Sequence, residues 1–319
     1  MKIFEIKNEF HQLKILNHGA TIYEWLSFND KISIVLNNYD MKTYEDSTKG
    51  YFGSTIGPVA NRISHGQFTL NHTVYQLPKN QMGKHTLHSG PSSFNTKYFE
   101  VVEHCDDKIK LKYVTKHLEN GFPGDIEVYV TYVLDGHSMT IHYEALSNMD
   151  TILNITNHAH FNLGDKNILE HELISPANCY VEVDNELIPT GKIVEIHADD
   201  PLNFVRKKPL KEGILPMLKT QTKGIDHAFI FDEKLPKTLT LFYKNKALKI
   251  ETSYPGYQMY TVNRKFEQLT KDGKDIPLYG AVAFECQIEP DAIKHPHFNS
   301  PILKANTPYQ HYIKYTIYE

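Results

Sequence analysis

The sequence predicts an all-β protein, a large antiparallel β-sandwich with few and short helices. Apolar residues recur at every second position in many short stretches, and turn residues separate these stretches. A period of two with one polar face is typical of antiparallel sheets that pack on one side. Prolines such as Pro201, Pro209 and Pro216 also interrupt the longer polar stretches. A β-barrel such as a jelly roll is the second architecture that fits this pattern.

Three stretches alternate most clearly between apolar and polar residues and end in turn-forming residues. They are a meander over 109–143 with an Asp135-Gly136 turn, a hairpin over 239–252 and a hairpin over 66–77. Residues 40–44 and 205–210 are the candidates for short helices. With no internal repeat, linker or break in composition, we expect a single domain over residues 1–319.

The composition argues against several classes of partner. Hydrophobic residues make up 40% of the 319 residues and charged residues 23%, as in ordinary globular proteins. The 34 basic and 38 acidic residues give a net charge of −4 without a long run of either sign. A nucleic-acid surface needs clustered Lys and Arg, so we expect no nucleic-acid partner.

The chain also shows no membrane or secretory signal. The N-terminal residues lack the apolar core of a signal peptide, and no stretch approaches the length of a membrane span. The three cysteines, Cys105, Cys179 and Cys286, are far apart and odd in number, which favours reduced thiols. We therefore expect a cytoplasmic monomer or homodimer that does not bind membranes.

Glu285 is the first candidate for chemistry. It follows the apolar run Ala281-Val282-Ala283-Phe284, which is typical of a buried strand, so Glu285 is expected at the strand end or facing a cleft. Burial raises the pKa of a carboxyl group and so makes the carboxylate a stronger base near neutral pH. A Glu that only caps or bridges a strand end is the structural alternative.

His158 and His160 follow an alternating run over 151–156. Positions i and i+2 of a strand face the same side, so both imidazoles are expected to line one pocket. Packing, metal binding and acid–base catalysis all remain open for such a pair. His88 precedes Ser89-Gly90, a turn that is expected to expose it as an ordinary loop histidine.

Arg62 and Asp226 also lie beside apolar segments. Arg62 is expected either to pair with a buried carboxylate or to donate hydrogen bonds into a site. Asp226 precedes the apolar run 228–231, where it serves as a turn residue or as an acceptor for sugar hydroxyls.

These signals gain meaning from their order along the chain, which resembles that of the aldose 1-epimerase (galactose mutarotase) family. The matching motifs are Gly57-x-x-x-Asn61-Arg62-Ile63, Gly66-x-Phe68-x-Leu70, Tyr75-x-Leu77-x-x-Asn80, Leu87-His88-Ser89-Gly90, Asn157-His158 with Phe161-Asn162-Leu163, Gly224-x-Asp226-His227-x-Phe229, and Glu285-x-Gln287 with Pro290-Asp291-Ala292. The resemblance covers nearly the whole chain.

The resemblance implies a β-sandwich that interconverts the α and β anomers of a free hexose such as galactose or glucose. It makes Glu285 the general base and His158 the general acid. The substrate-binding residues that it implies are Arg62, His88, Asp226, Asn61 and His160. It implies a monosaccharide as the partner and neither a cofactor nor a metal. The family usually has another aromatic residue where this chain has His160, so the role of His160 is open.

Three other functions fit parts of the pattern. A glycosidase would pair Glu285 with a second acid such as Glu289 or Asp291. A non-catalytic carbohydrate-binding β-sandwich would bind sugar without changing it. A jelly-roll metal enzyme would use His158, His160 and Glu285 as ligands.

Overall fold

A large antiparallel sheet forms one layer of the protein. The computed structural model describes residues 1–27, 33–38, 40–46 and 51–319. The sheet has nine strands, which lie side by side in the order Lys208–Pro209, Glu172–Ile174, Thr238–Tyr243, Lys246–Thr252, Tyr309–Tyr318, Ser138–Ser147, Ile126–Asp135, Lys108–Thr115 and Glu100–His104. The meander 109–143 that the alternation predicts lies in one half of this sheet, next to the central strand Tyr309–Tyr318.

A second antiparallel sheet carries the candidate residues. Its six strands are, in spatial order, His160–Phe161, Val282–Gln287, Gly256–Tyr260, Asp226–Phe231, Ala177–Val183 and Pro189–Glu195. Phe284 and Tyr257 from this sheet share one buried hydrophobic cluster with Val128, Ile141 and Tyr315 from the nine-stranded sheet. The two sheets are therefore layered on a common core, and the prediction of an antiparallel β-sandwich is confirmed.

Shorter elements surround the two sheets. The remaining strands are Ile3–Lys7, His11–Leu16 and Thr21–Ser27 in a three-stranded sheet, and the pairs Thr55–Ile56 with Thr156–Asn157, Arg62–Ile63 with Thr86–Leu87, Gln67–Leu70 with Thr73–Gln76, and Thr151–Ile152 with Ile302–Leu303. The helical segments are the α-helix Lys211–Ile214 and the 3₁₀ turns Met41–Glu45, Ser64–Gly66, Phe94–Thr96, Glu119–Gly121, Leu215–Lys219 and Ala292–Lys294. Among the described residues, no helix is long and apolar enough to cross a membrane.

The local predictions hold except at one helix. All three predicted hairpins form, and the predicted turn at 40–44 appears as Met41–Glu45. The helix predicted over 205–210 is wrong, because this stretch bends and then pairs with Glu172–Ile174 through Lys208 and Pro209. Tertiary pairing overrides local propensity there, and the helix begins only at Lys211.

Alternation along the six-stranded sheet separates core from site. In Val282–Gln287, Phe284 and Cys286 join the shared core, so Glu285 faces the opposite side. All six residues of this strand are nevertheless buried, because loops and short strand pairs cover the second face. The fold thus places a carboxylate in a covered cleft rather than on the protein surface.

Candidate active site

Five polar or aromatic side chains share the covered face of the six-stranded sheet. Glu285 lies directly across from Gln258, while Tyr260 lies across from Asp226 on one side and Ala283 on the other. His160 pairs with Ala283 in turn. Residues opposite one another, and residues two apart on one strand, point to the same face of a sheet. Asp226, Gln258, Tyr260, Glu285 and His160 therefore form one polar surface, called the site face below.

His158 and Glu285 meet at the edge of this surface. The Nε2 atom of His158 lies 3.3 Å from the Oε1 atom of Glu285, and both side chains are buried. Glu285 lies inside its strand rather than at the strand end, which corrects one of the two expected placements. Glu285 Oε2 and His158 Nδ1 make no hydrogen bond within the described structure. The pair is therefore linked through one contact, and each side chain has one further atom that can form a hydrogen bond with a ligand.

Burial strongly perturbs the carboxyl group of Glu285. Desolvation raises its pKa to about 8, the charge of Asp226 adds to this rise, and Arg62 opposes it. The expectation that burial makes this group a stronger base agrees with the direction of the shift. Near neutral pH burial therefore favours the protonated acid.

We expect this buried carboxyl group to lower stability at alkaline pH. Its pKa is about 8 in the folded protein against a usual 4.5, so the folded state holds an extra proton between these values. The free energy of unfolding therefore falls as pH rises through this window, by a few kcal/mol at most, and the loss is complete above about pH 8. Glu285→Gln should raise the melting temperature at pH 9 more than at pH 5. An equal change at both pH values would contradict the assignment.

The imidazole of His158 is perturbed in the opposite direction. Desolvation lowers its pKa to about 4, and the charge of Arg264 contributes to this decrease. Burial thus outweighs the attraction of the nearby Glu285 carboxyl group. At neutral pH the pair therefore holds one proton, which lies on Glu285, and His158 is the neutral partner.

His160 packs behind His158. The two rings are stacked, with centroids 4.8 Å apart and an interplanar angle of 23°. The chain between them is not a regular strand, yet both rings lie on the same side as predicted. His160 is fully buried against Phe52 and Phe266, and neither of its ring nitrogens has a well-formed hydrogen bond to a described residue.

His88 is buried, so the prediction of an exposed loop histidine is wrong. Its ring lies edge-on to His158 at 5.3 Å, and its Nδ1 atom accepts a hydrogen bond of 3.1 Å from the backbone N–H of Asn61. Burial holds the pKa of His88 well below its usual range. A neutral imidazole that accepts at Nδ1 carries its proton on Nε2. His88 is therefore fixed as a hydrogen-bond donor.

Arg62 donates hydrogen bonds rather than pairing with a buried carboxylate. Its Nε atom donates to Gln81 Oε1 at 2.9 Å, and one terminal nitrogen donates to Asn61 Oδ1 at 3.3 Å. These acceptors are amide oxygens, which hold the planar guanidinium in place without neutralising its charge. Asn61 thus orients both Arg62 and His88.

Asp226 begins a strand of the site face and is half-buried. Its Oδ1 atom accepts a hydrogen bond of 2.6 Å from Gln258 Nε2. A small pocket lies between Asn61 and Arg62 on one side and Asp226 and Gln258 on the other. The two predicted sugar contacts, Arg62 and Asp226, therefore face one space.

Several residues of the site were missed from the sequence. Tyr51 stacks on His158 at 5.7 Å, and the exposed Arg264 influences the pKa values of His158 and Tyr260. Gln258 was the one with a usable signal, since it is a polar residue inside the otherwise apolar strand Gly256–Tyr260. The others sit on loops, where the sequence carries no such periodicity.

The potential metal ligands differ from those expected. Among the described residues, atoms of His88, His158 and Glu285 lie within 4.8 Å of one another, and His160 is not part of this group. His88 would have to give up its bond from Asn61 to offer Nε2 as a lone pair. The donor set therefore fits hydrogen bonding to a ligand better than metal binding.

The second acids that a glycosidase would need are engaged elsewhere. Glu289 accepts hydrogen bonds from the side chain and backbone of Asn299, and Asp291 accepts one from the backbone of Ser64. Both therefore serve to anchor loops. The ionisable side chain in direct contact with Glu285 is the imidazole of His158, and a carboxylate and an imidazole can together move a proton between two oxygen atoms.

Comparison with known proteins identifies the family of the chain. The family model described as aldose 1-epimerase matches residues 2–316. The galactose mutarotase of Sus scrofa is 32% identical over 97% of this chain and 91% of the relative. The aldose 1-epimerase of Haemophilus influenzae is 32% identical over 91% of this chain and 86% of the relative. Fold, site and relatives define a sugar isomerase of the β-sandwich class.

Solved structures extend the likeness to three dimensions. A GalM/aldose epimerase homologue from C. elegans matches with a TM-score of 0.90 at 27% identity, over 99% of this chain and 98% of that chain. The galactose 1-epimerase of Lactobacillus acidophilus shares the fold with a TM-score of 0.84 at 23% identity, over 99% and 93% of the two chains. The chain belongs to the aldose 1-epimerase family.

Proposed function

We propose that Glu285 and His158 interconvert the anomers of a free hexose by opening and closing its ring. Glu285 as the carboxylate takes the proton of the C1 hydroxyl, and His158 as the imidazolium gives a proton to the ring oxygen. The C1–O5 bond breaks, the aldehyde rotates about C1–C2, and the reverse transfers close the ring on the other carbonyl face. The 3.3 Å contact between the two side chains is the observation that carries this proposal.

The remaining polar groups suit a bound pyranose. His88 and Arg62 offer N–H donors, whereas Asp226 offers a carboxylate acceptor. Hydrogen bonds from sugar hydroxyls stabilise a carboxylate and lower its pKa. Binding therefore favours transfer of the one proton of the pair from Glu285 to His158, which gives the carboxylate and the imidazolium that ring opening requires. Asn61 and His160 complete the site, the first by orienting donors and the second by packing on the acid.

Timed optical rotation tests the proposal. Freshly dissolved α-galactose and α-glucose should reach their equilibrium rotation faster with the protein than without it. A carbohydrate-binding module would bind the sugar and leave the rate at its spontaneous value. An unchanged rate with saturable binding would therefore replace the enzyme by the binding module.

We expect a bell-shaped dependence of kcat/KM on pH. The pair is active when the two side chains together hold one proton. This proton is lost above the pKa of about 8 for Glu285, and a second proton binds below the pKa of about 4 for His158. Above the upper limb the acid is missing, and below the lower limb the base is missing. These limbs belong to the coupled pair. Polarimetric rates between pH 3.5 and 10 check this, and a rate that rises steadily with pH would refute it.

A further inference from the structure

A small pocket beside the proposed sugar contacts Arg62 and Asp226 lies between two separate structural units. Arg62 and Asn61 line it from one side, and the hairpin that joins Ala177–Val183 to Pro189–Glu195 lines it from the other. The first unit is the segment around the short strand pair of Arg62–Ile63 with Thr86–Leu87, and the second is part of the six-stranded sheet. The width of the pocket therefore depends on what holds these two units together.

Residues 79–88, called the Arg62 loop below, position the guanidinium. Gln81 accepts the hydrogen bond from Arg62 Nε, and Leu87 pairs with Arg62 across a short antiparallel ladder. The loop then continues into His88. A shift of this loop would therefore move two of the donors that face the sugar.

The opposite unit is the tight turn 184–188, called the Leu187 turn below. Asp184 Oδ1 accepts hydrogen bonds from the backbone N–H groups of Glu186 at 2.8 Å and Ile188 at 3.0 Å. Leu187 has a φ of +62° and lines the pocket. A leucine in the left-handed region is strained, and such strain persists only where the surroundings enforce it.

Glu186 ties the Leu187 turn to the Arg62 loop. Its Oε2 atom lies 2.5 Å from Lys84 Nζ and 3.2 Å from His85 Nε2. His85 is buried, and its Nδ1 atom accepts from the backbone N–H of His65 at 3.0 Å, so its neutral ring donates through Nε2. Glu186, Lys84 and His85 are called the clasp below. The clasp joins the two units, and neither of the proposed catalytic residues belongs to it.

We infer that Glu186 is a positioning residue that sets the affinity of the pocket for sugar through the clasp. This inference rests on the proposed function. The clasp fixes the distance between Arg62 and the Leu187 turn both in the substrate complex and in the transition state. Its loss therefore weakens the binding of the substrate and of the transition state equally. Uniform loss of binding raises KM and leaves kcat unchanged.

Replacing Glu186 tests the clasp. Glu186→Gln keeps an acceptor for His85 but removes the charge that attracts Lys84, and Glu186→Ala removes both contacts. We expect KM for galactose to rise about two- to fivefold in the first variant and further in the second, with kcat within twofold of wild type. Because salt screens the pair of Lys84 and Glu186, KM of the wild type should rise with ionic strength while that of Glu186→Gln stays flat.

Glu182→Gln is the matched control. Glu182 lies on the same hairpin and pairs with Lys192 of that hairpin at 3.0 Å, so its loss leaves the two units tied. Its KM should equal that of the wild type. An unchanged KM in Glu186→Ala, or a fall in kcat alone, would overturn the inference.

Calorimetric titration with galactose separates this test from the proposed function. If the wild type does not accelerate anomer exchange, the proposed function fails. The dissociation constants of wild type and Glu186→Ala for galactose still show whether the clasp affects binding. Weaker galactose binding by the variant supports the clasp, and equal binding overturns it.

Discussion

Glu285→Gln is expected to lower kcat for galactose by about 10²–10⁴-fold, because the amide accepts no proton from the C1 hydroxyl. The substitution preserves the size of a side chain that is buried beside His158. It also removes a carboxyl group whose desolvation is costly, so the fold should remain intact. Galactose binding should persist through Arg62 and Asp226. Polarimetry under saturating sugar and calorimetric titration measure the two effects separately.

Glu289→Gln is the matched control for this substitution. Glu289 is also a buried carboxylate on the segment that follows the same strand, but its oxygens bond to Asn299 rather than to an imidazole. Its loss should affect stability and leave kcat nearly unchanged. Near-normal turnover in Glu285→Gln would remove Glu285 from the role of base.

The second large effect is expected at His158, which we predict to be more sensitive than His160. Asparagine at position 158 donates no proton to the ring oxygen at neutral pH, so His158→Asn should lose about 10²-fold or more in kcat. His160→Asn should lose less, because His160 contacts the acid only through ring stacking. Both variants replace a buried imidazole with a similar amide, so each controls for the other.

Initial rates of rotation change for both variants, measured at one pH and several sugar concentrations, give the ranking. Circular dichroism and thermal melting confirm that each variant is folded. If His160→Asn proves the more damaging, the acid moves to His160 and the stacked ring of His158 becomes its support.

The sequence predicted the sheets well because alternation reports directly on which face of a strand is buried. The hairpin over 239–252 and the burial of the strand before Glu285 both follow from this periodicity. The helix predicted over 205–210 is wrong because Lys208 and Pro209 pair with a strand that is distant in sequence, and local propensity does not encode such pairing. The prediction that His88 is exposed was wrong for a similar reason, because His88 is buried and bonds to Asn61 from another segment.

The site was predictable as a set of residue types and not as a geometry. The order of motifs made His158 and Glu285 candidates, but it did not indicate the 3.3 Å contact between their side chains. Nor did it indicate that Gln81 and Gln258 hold Arg62 and Asp226, because these bonds link residues 19 and 32 positions apart. Side-chain partners of this kind depend on the packing of loops, for which the sequence offers no periodic signal.

The coupling of Glu285 to His158 has a consequence for the catalytic cycle. In the proposed mechanism, ring closure reverses the two proton transfers of ring opening, so the enzyme has the same protonation state after a turnover as before it. No separate proton-transfer step is then needed between successive turnovers, and the bulk solvent need not supply a proton. Catalysis should consequently run equally well from either anomer, limited only by the equilibrium of the sugar itself.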